Sequence, residues 1–424
     1  MNAVDSATTA SRYFAATVTI GILFFIFGFV TWLNGPLITY VKLAFDLDDV
    51  NAFLVPMAFY LSYFFLALPA SWILARTGMK RGMALGLFVM AIGAATFGQF
   101  ATMRIYPGAL AGLFVIGAGL ALLQTAANPY ISILGPIESA AQRIAFMGIC
   151  NKFAGIVAPI LLGIFVLKDI GGFADKVAAA SAADKQALLN EFAAKVHIPY
   201  MLMAALLALL AIWILRSVLP EIDPNTANAD AGGGKTDRGS VFAYPHLWLG
   251  VACLFVYVGV EVMAGDAIGT YGQGFHLPLD ETKFFTAFTL AAMLIGYVAG
   301  LILIPRFVSQ QAYLAFSAVL ALVFCAAAYV TREYVSVGFV AALGFANAMM
   351  WPAIFPLAIR GLGRFTERGS AFLIMGIAGG AIVPQLFAHL KTPENFQMVF
   401  CAIMLPCYAY ILYYALRGHR ARTR

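Results

Sequence analysis

About twelve predominantly apolar stretches, each long enough to cross a bilayer, follow one another along the chain. They lie near 13–41, 50–74, 82–101, 109–134, 145–167, 198–219, 247–273, 284–304, 312–330, 335–359, 370–390 and 396–416. A soluble fold needs a charged exterior, and this chain lacks the residues for one. Of its 424 residues, 62% are hydrophobic and only 11% are charged, against about 25% charged in a soluble domain. That balance excludes a cytosolic enzyme, a secreted disulfide scaffold and a disordered protein. The net charge of +6 would suit nucleic acid, but the basic residues cluster by loop rather than on one face, which excludes that partner too.

The loops set the topology. With the N-terminus inside, sixteen Lys and Arg fall in inner segments, among them Arg76, Lys80, Arg81, Arg360, Arg368 and Arg417. Nine fall outside, four of them in one long loop. Both termini are therefore expected in the cytoplasm, facing anionic lipid. The start of the chain, MNAVDSATTASRYF, lacks the basic segment and short apolar core of a cleaved signal, so the first run is expected to stay. Residues 174–196, Ala-rich with charges at about every turn, predict a short amphipathic helix in an outer loop. Residues 220–240, PEIDPNTANADAGGGKTDRGS, form a polar linker. The linker divides the chain into six-span halves, 1–219 and 246–424, with 220–245 between them. The halves share a weak repeat, YLSYFFLALPASWILARTGMKRG (60–82) against LAAMLIGYVAGLILIPRFVSQQA (290–312). Six plus six spans around such a linker match the parallel-repeat transporters, whose site lies between the halves at mid-membrane.

Catalytic motifs fail. GGGKT (232–236) lacks the earlier glycine of a phosphate loop, since position 229 is Ala, and it follows no strand. DLDD (46–49) precedes the second span, where Asp48 or Asp49 suits a helix N-cap better than a metal. The five cysteines and five histidines show no zinc spacing. No hydrolytic or transfer machinery and no cofactor are expected.

Polar residues inside the spans carry the functional signal. Lys152, Glu261 and Asp266 are the three ionisable Asp, Glu, Lys or Arg residues well within apolar runs. Each is expensive in lipid unless paired, hydrated or neutralised, so each is expected toward a central cavity. A fixed Lys–carboxylate pair locking two helices is one reading; a group that loads and releases a cation is the other. Asn34, Gln124, Asn128, Asn151 and Asn347 add amides, and Trp351 adds an indole. Gln124 and Asn128 are four apart, as are Asn347 and Trp351, so each pair is expected on one helix face. Asn34 precedes Gly35-Pro36, which predicts a break in the first span. Amides suit hydroxyls and an aromatic suits the apolar face of a sugar ring; interhelical hydrogen bonding is the competing use.

LLQTAANPYISILGP (122–136), FVYVGVEV (255–262), the block 344–384 from GFANAMMWP to AIVP, and WLNGPLITYVK (32–42) resemble one family. It is the fucose–proton symporter and glucose/galactose (N-acetylglucosamine) transporter family of the major facilitator superfamily. ASWILARTGMKRG (70–82) is similar to the wider superfamily's inner-loop motif, with Ala75 where an Asp is usual. The resemblance implies an all-α, twelve-helix membrane fold with two pseudo-two-fold halves. It also implies uptake of a sugar coupled to a cation. Two family carboxylates are missing: the first-span Asp is Gly35, and the fourth-span Glu, which couples protons in fucose transporters, is Gln124. Coupling has then either moved to Glu261 or Asp266, with Lys152 as a competing cation, or been lost, leaving a uniporter. A membrane-embedded sugar transferase and a drug or lipid exporter are the more distant alternatives. The expected assembly is a monomer in an inner membrane. It would import a hexose or hexosamine by alternating access, with H+ or Na+ as co-substrate.

Overall fold

The computed structural model describes residues 3–133, 140–217, 219, 240–304, 306–362 and 365–421. The expected linker lies almost wholly outside the described residues. Everything regular that is described is helical, as lipid demands of an open chain, because helices satisfy their backbone hydrogen bonds internally. Among the described residues, twelve spans are long and apolar enough to cross a membrane. They are Ala15–Ala44, Asp49–Thr77, Met79–Thr102, Tyr106–Asn128, Arg143–Phe165, Ala182–Arg216, Pro245–Gly265, Leu279–Leu303, Gln310–Val330, Glu333–Ile359, Arg368–Leu390 and Phe396–Arg420. They are called spans 1 to 12 below. Large apolar side chains such as Phe65, Trp72, Leu209, Ile295 and Val330 point outward. That is the surface a lipid-facing bundle presents, the reverse of a soluble one. An even number of spans puts both termini at one end of the bundle, the proximal end.

Several spans are interrupted, each for a local reason. Span 1 ends its first helix at Thr31 and restarts at Asn34. Pro36 sits in the first turn of the new helix, where no amide donor is needed, so the break falls ahead of the proline. Span 7 stops at Gly265, and a short helix, Ile268–Gln273, continues it. Reading 247–273 as one run misses that break. Span 10 breaks between Asn347 and Met350. The outer loop also differs from expectation: 174–196 is not one amphipathic helix. Two helices, Ile170–Ala179 and Ala182–Ala194, meet at Ala180 and Ser181, whose hydroxyl caps the second by accepting from the Asp184 amide. Asp48 caps Asp49–Ala52 as expected, accepting from the Asn51 amide at 2.9 Å.

The repeat is clearer in structure than in sequence. A four-residue helix, Asp49–Ala52, leads into the long helix of span 2, Leu54–Thr77. Likewise Leu279–Thr282 leads into Phe285–Leu303 of span 8. Each short helix carries an aspartate that reaches the opposite half at the distal end. Asp49 pairs with Lys42 at 2.5 Å and also with Lys391, beyond span 11. The Gln385 amide group donates to the Val50 carbonyl at 3.0 Å beside it. Asp280 accepts from the amides of Ile170 and Gly171 at 3.2 and 3.0 Å, and holds Lys283 at 2.7 Å. Lys283 also donates to the Leu167 carbonyl at 2.8 Å. Two corners, spans 2 with 11 and spans 5 with 8, thus tie the halves distally.

Single exposed pairs contribute about 0–1 kcal/mol, so one corner alone should hold weakly. The double variant Asp49→Asn with Asp280→Asn should lose on the order of 1–2 kcal/mol of distal closure. Spin labels at Lys168 and Glu394 should then report a longer distal distance population. An unchanged distance distribution would show that packing, not these carboxylates, holds the end shut.

Candidate functional site

Between the halves lies a cavity of about 150 Å³, lined from spans 1, 2, 4 and 5 on one side and 7, 8, 10 and 11 on the other. Toward the proximal end it reaches Ile144 and Gly148 near the start of span 5. Close helix packing keeps it small. A methyl built on Gly28 would run into the backbone of Asn151, so spans 1 and 5 touch main chain to main chain there.

Lys152 and Glu261 meet inside this cavity. The Lys152 ammonium donates to Glu261 Oε1 at 3.0 Å, across the two halves. The ammonium also lies 4.6 Å from the Trp32 ring centroid and 6.0 Å from that of Tyr297. Both side chains are about nine-tenths buried, so each charge depends on the other for compensation. Aromatic faces add cation–π attraction to the lysine. Charge-neutral as a pair, they add no net charge to the cavity.

Gln124, Asn128, Asn151 and Trp351 also line the cavity. Gln124 donates to the Tyr63 hydroxyl at 3.1 Å, and the Asn151 amide points to the Phe24 carbonyl at 3.4 Å. Helical spacing of four does bring Gln124 and Asn128 to the same wall. The same rule misleads for Asn347 and Trp351, because the span breaks between them. Trp351 faces the cavity, stacked near Phe355 at 6.0 Å, while Asn347 turns into the half. There its side-chain oxygen accepts from the Tyr408 hydroxyl at 3.0 Å and its carbonyl from Tyr257 at 3.3 Å. Asn347 thus backs the wall that Tyr257 presents.

Asn34 and Asp266 lie one layer deeper. Neither lines the cavity, and they are 1% and 2% exposed. Asp266 Oδ2 accepts from the Tyr60 hydroxyl at 3.5 Å, and Tyr60 does line the cavity. Among the described residues, Asp266 Oδ1 and Asn34 Nδ2 have no hydrogen-bond partner.

The aromatic lining went unread in the sequence: Trp32, Tyr60, Tyr63, Tyr257 and Tyr297 all face the cavity. A signal existed. Tyr60 and Tyr63 are three apart, and Tyr257 precedes Glu261 by four, so each pair shares a helix face. In a chain rich in aromatics that spacing does not stand out. Among the described residues, no group of three His, Cys, Asp or Glu could hold a metal ion.

The chain is similar to known proteins along nearly its whole length. A family model described as "Major Facilitator Superfamily" matches residues 20–388. A glucose/galactose transporter of Brucella abortus is 33% identical over 99% of this chain and 98% of its own. An L-fucose-proton symporter of Escherichia coli is 29% identical over 97% of this chain and 95% of its own. The crystal structure of the E. coli fucose:proton symporter superposes with a TM-score of 0.74 at 27% identity, covering 97% of this chain and 100% of that one. With twelve spans, a cavity between two six-span halves and these matches, the chain belongs to the Major Facilitator Superfamily and is a multi-pass membrane transporter, not an enzyme.

Proposed function

We propose that the chain is a secondary active sugar transporter that imports a neutral hexose or N-acetylated hexosamine by alternating access. It works as a monomer in an inner membrane with both termini in the cytoplasm. Uptake is coupled to H+ or Na+ through one of two carboxylates, Glu261 or Asp266, with Lys152 as a competing cation. The observation that carries this reading is the cavity itself. Three amides, Gln124, Asn128 and Asn151, face several aromatic rings across a space that a charge-neutral pair spans. Amides both donate to and accept from hydroxyls, and rings cover the apolar face of a pyranose.

The volume narrows the class. About 150 Å³ falls below the roughly 300–1,000 Å³ of sites for drug-sized ligands, which argues for one small ring and against a drug or lipid exporter. The named relatives act on glucose, galactose and fucose. The whole cavity is built by one chain, which supports a monomer. The excess of Lys and Arg at the proximal end supports its cytoplasmic assignment, and the distal ties then close the outer side.

The deciding experiment is uptake of labelled D-glucose, D-galactose, L-fucose and N-acetyl-D-glucosamine into proteoliposomes, with pH and sodium gradients imposed separately. Accumulation above the external level under one gradient supports symport. Uptake that only equilibrates under both identifies a uniporter, which the uncharged Gly35 and Gln124 would suit. Gln124→Ala, Asn128→Ala and Asn151→Ala should each weaken apparent sugar affinity by about 1 kcal/mol, roughly fivefold. Unchanged affinity in all three moves the sugar elsewhere. For the ion pair, Glu261→Gln alone strands a buried ammonium and should destabilise the protein by about 3–5 kcal/mol. Adding Lys152→Met should recover much of that loss in thermal unfolding. A double variant no more stable than the single one would mean the pair is not mutually dependent.

A further inference from the structure

Asp266 is a buried carboxylate with a setting unlike that of Glu261. It stands where two helix breaks meet: span 1 restarts at Asn34, and span 7 stops at Gly265. The breaks are in contact, for a methyl built on Gly265 would lie 2.5 Å from the Trp32 ring. Glycine at 35 is what gives the carboxylate its room. A methyl there would come 2.5 Å from Thr286 Oγ1 and 3.2 Å from Asp266 Oδ1.

The groups facing Asp266 are these: Tyr60 from span 2, Asn34 and the Gly35 backbone from span 1, Thr286 from span 8, and Glu261 on its own span with Lys152 from span 5 behind it. The Thr286 hydroxyl is engaged with the Gly265 carbonyl at 2.8 Å, and Lys152 with Glu261 at 3.0 Å. No ion pair within 4.0 Å holds Asp266 among the described residues, and Oδ1 is without a partner. An ionised carboxylate so placed has no ion-pair partner, and the Tyr60 hydroxyl and the Gly35 amide offset only part of the cost of burying its charge. A proton removes the charge. A metal cation is a poorer occupant, because it needs several close oxygens. Here the Tyr60 oxygen stands off at 3.5 Å, and the neighbouring unpartnered atom, Asn34 Nδ2, is a donor.

We propose that Asp266 carries the coupled proton, in a site behind the sugar cavity and separated from it by Tyr60, while Glu261 and Lys152 remain an ionised pair. This deepens the sugar-transport reading and rests on it. Hydronium on the open side delivers a proton to the carboxylate: its O–H bond breaks and leaves water, an O–H bond forms on Oδ1, and the neutral acid crosses in the closed state. On the other side the O–H bond breaks to water and the carboxylate is regenerated. Tyr60 is the positioning residue, since its ring faces the sugar and its hydroxyl faces the acid. The coupling carboxylate thus occupies, from span 7, the crevice that a side chain at position 35 would enter from span 1.

The test uses full-length protein in proteoliposomes, labelled D-glucose, D-galactose, L-fucose and N-acetyl-D-glucosamine, and an internal pH dye. Wild type should accumulate sugar about tenfold per pH unit of imposed gradient, for one proton per sugar, and sugar should draw protons inward. Asp266→Asn should abolish both, while sugar exchange at equal concentrations persists. Tyr60→Phe should shift the pH dependence of uptake. The charge transposition Gly35→Asp with Asp266→Gly, in which the Thr286 side chain rotates aside, should regain proton-driven accumulation. It guards against a single variant that fails to fold. Three outcomes overturn the assignment: Asp266→Asn that still moves protons with sugar, accumulation driven by sodium alone, or loss of exchange in Asp266→Asn with no recovery in the transposed variant. Exchange absent in wild type for every sugar overturns instead the sugar-transport reading beneath it.

Discussion

The pairing of Lys152 with Glu261 is the interaction around which the centre of this transporter is arranged. Each charge alone is costly in a region that water scarcely reaches. Together they cancel, and Trp32 and Tyr297 give the ammonium further attraction. Because one partner belongs to each half, the pair also holds the two halves in register at mid-membrane. The amides and rings around it then line a space that holds a charge pair with no net charge.

The broken spans supply the second constraint. Irregular backbone at membrane depth is tolerated only where protein or a cavity covers it. Spans 1, 7 and 10 are interrupted, and each break adjoins the central region. At two of them a buried polar side chain, Asn34 or Asn347, stands beside the freed backbone. The same interruptions move polar groups out of the cavity wall into a second layer, where Asp266 and Asn347 sit behind Tyr60 and Tyr257. The cavity wall and the polar layer behind it are thereby joined by tyrosines. At the distal end the aspartates of two repeat-related short helices, Asp49 and Asp280, close the molecule at two corners.

How far these features were legible depended on range. Gln124 with Asn128 could be placed on one face because an unbroken helix lies beneath them. The same spacing failed at Asn347 and Trp351, since the helix breaks between them, just ahead of Pro352. The break in span 1 carried its signal in Gly35-Pro36, whereas that in span 7, at Gly265, did not. The tyrosines of the lining were lost among the 18 tyrosines of the chain.

By itself the sequence determined that the chain spans a membrane about twelve times. It carried a weak repeat between its halves, and it marked Lys152, Glu261 and Asp266 as the anomalous charges. Those conclusions follow from hydropathy and from the energetic penalty on charge in lipid, both properties of composition and short-range order. Only the tertiary structure decided which carboxylate the lysine neutralises. Glu261 and Asp266 are five residues apart and equally acidic on paper. Packing brings one to 3.0 Å from Lys152 and seals the other behind Tyr60 against Gly35. Charge compensation depends on distances of a few ångströms between residues more than a hundred positions apart, and those distances exist only once the halves have packed.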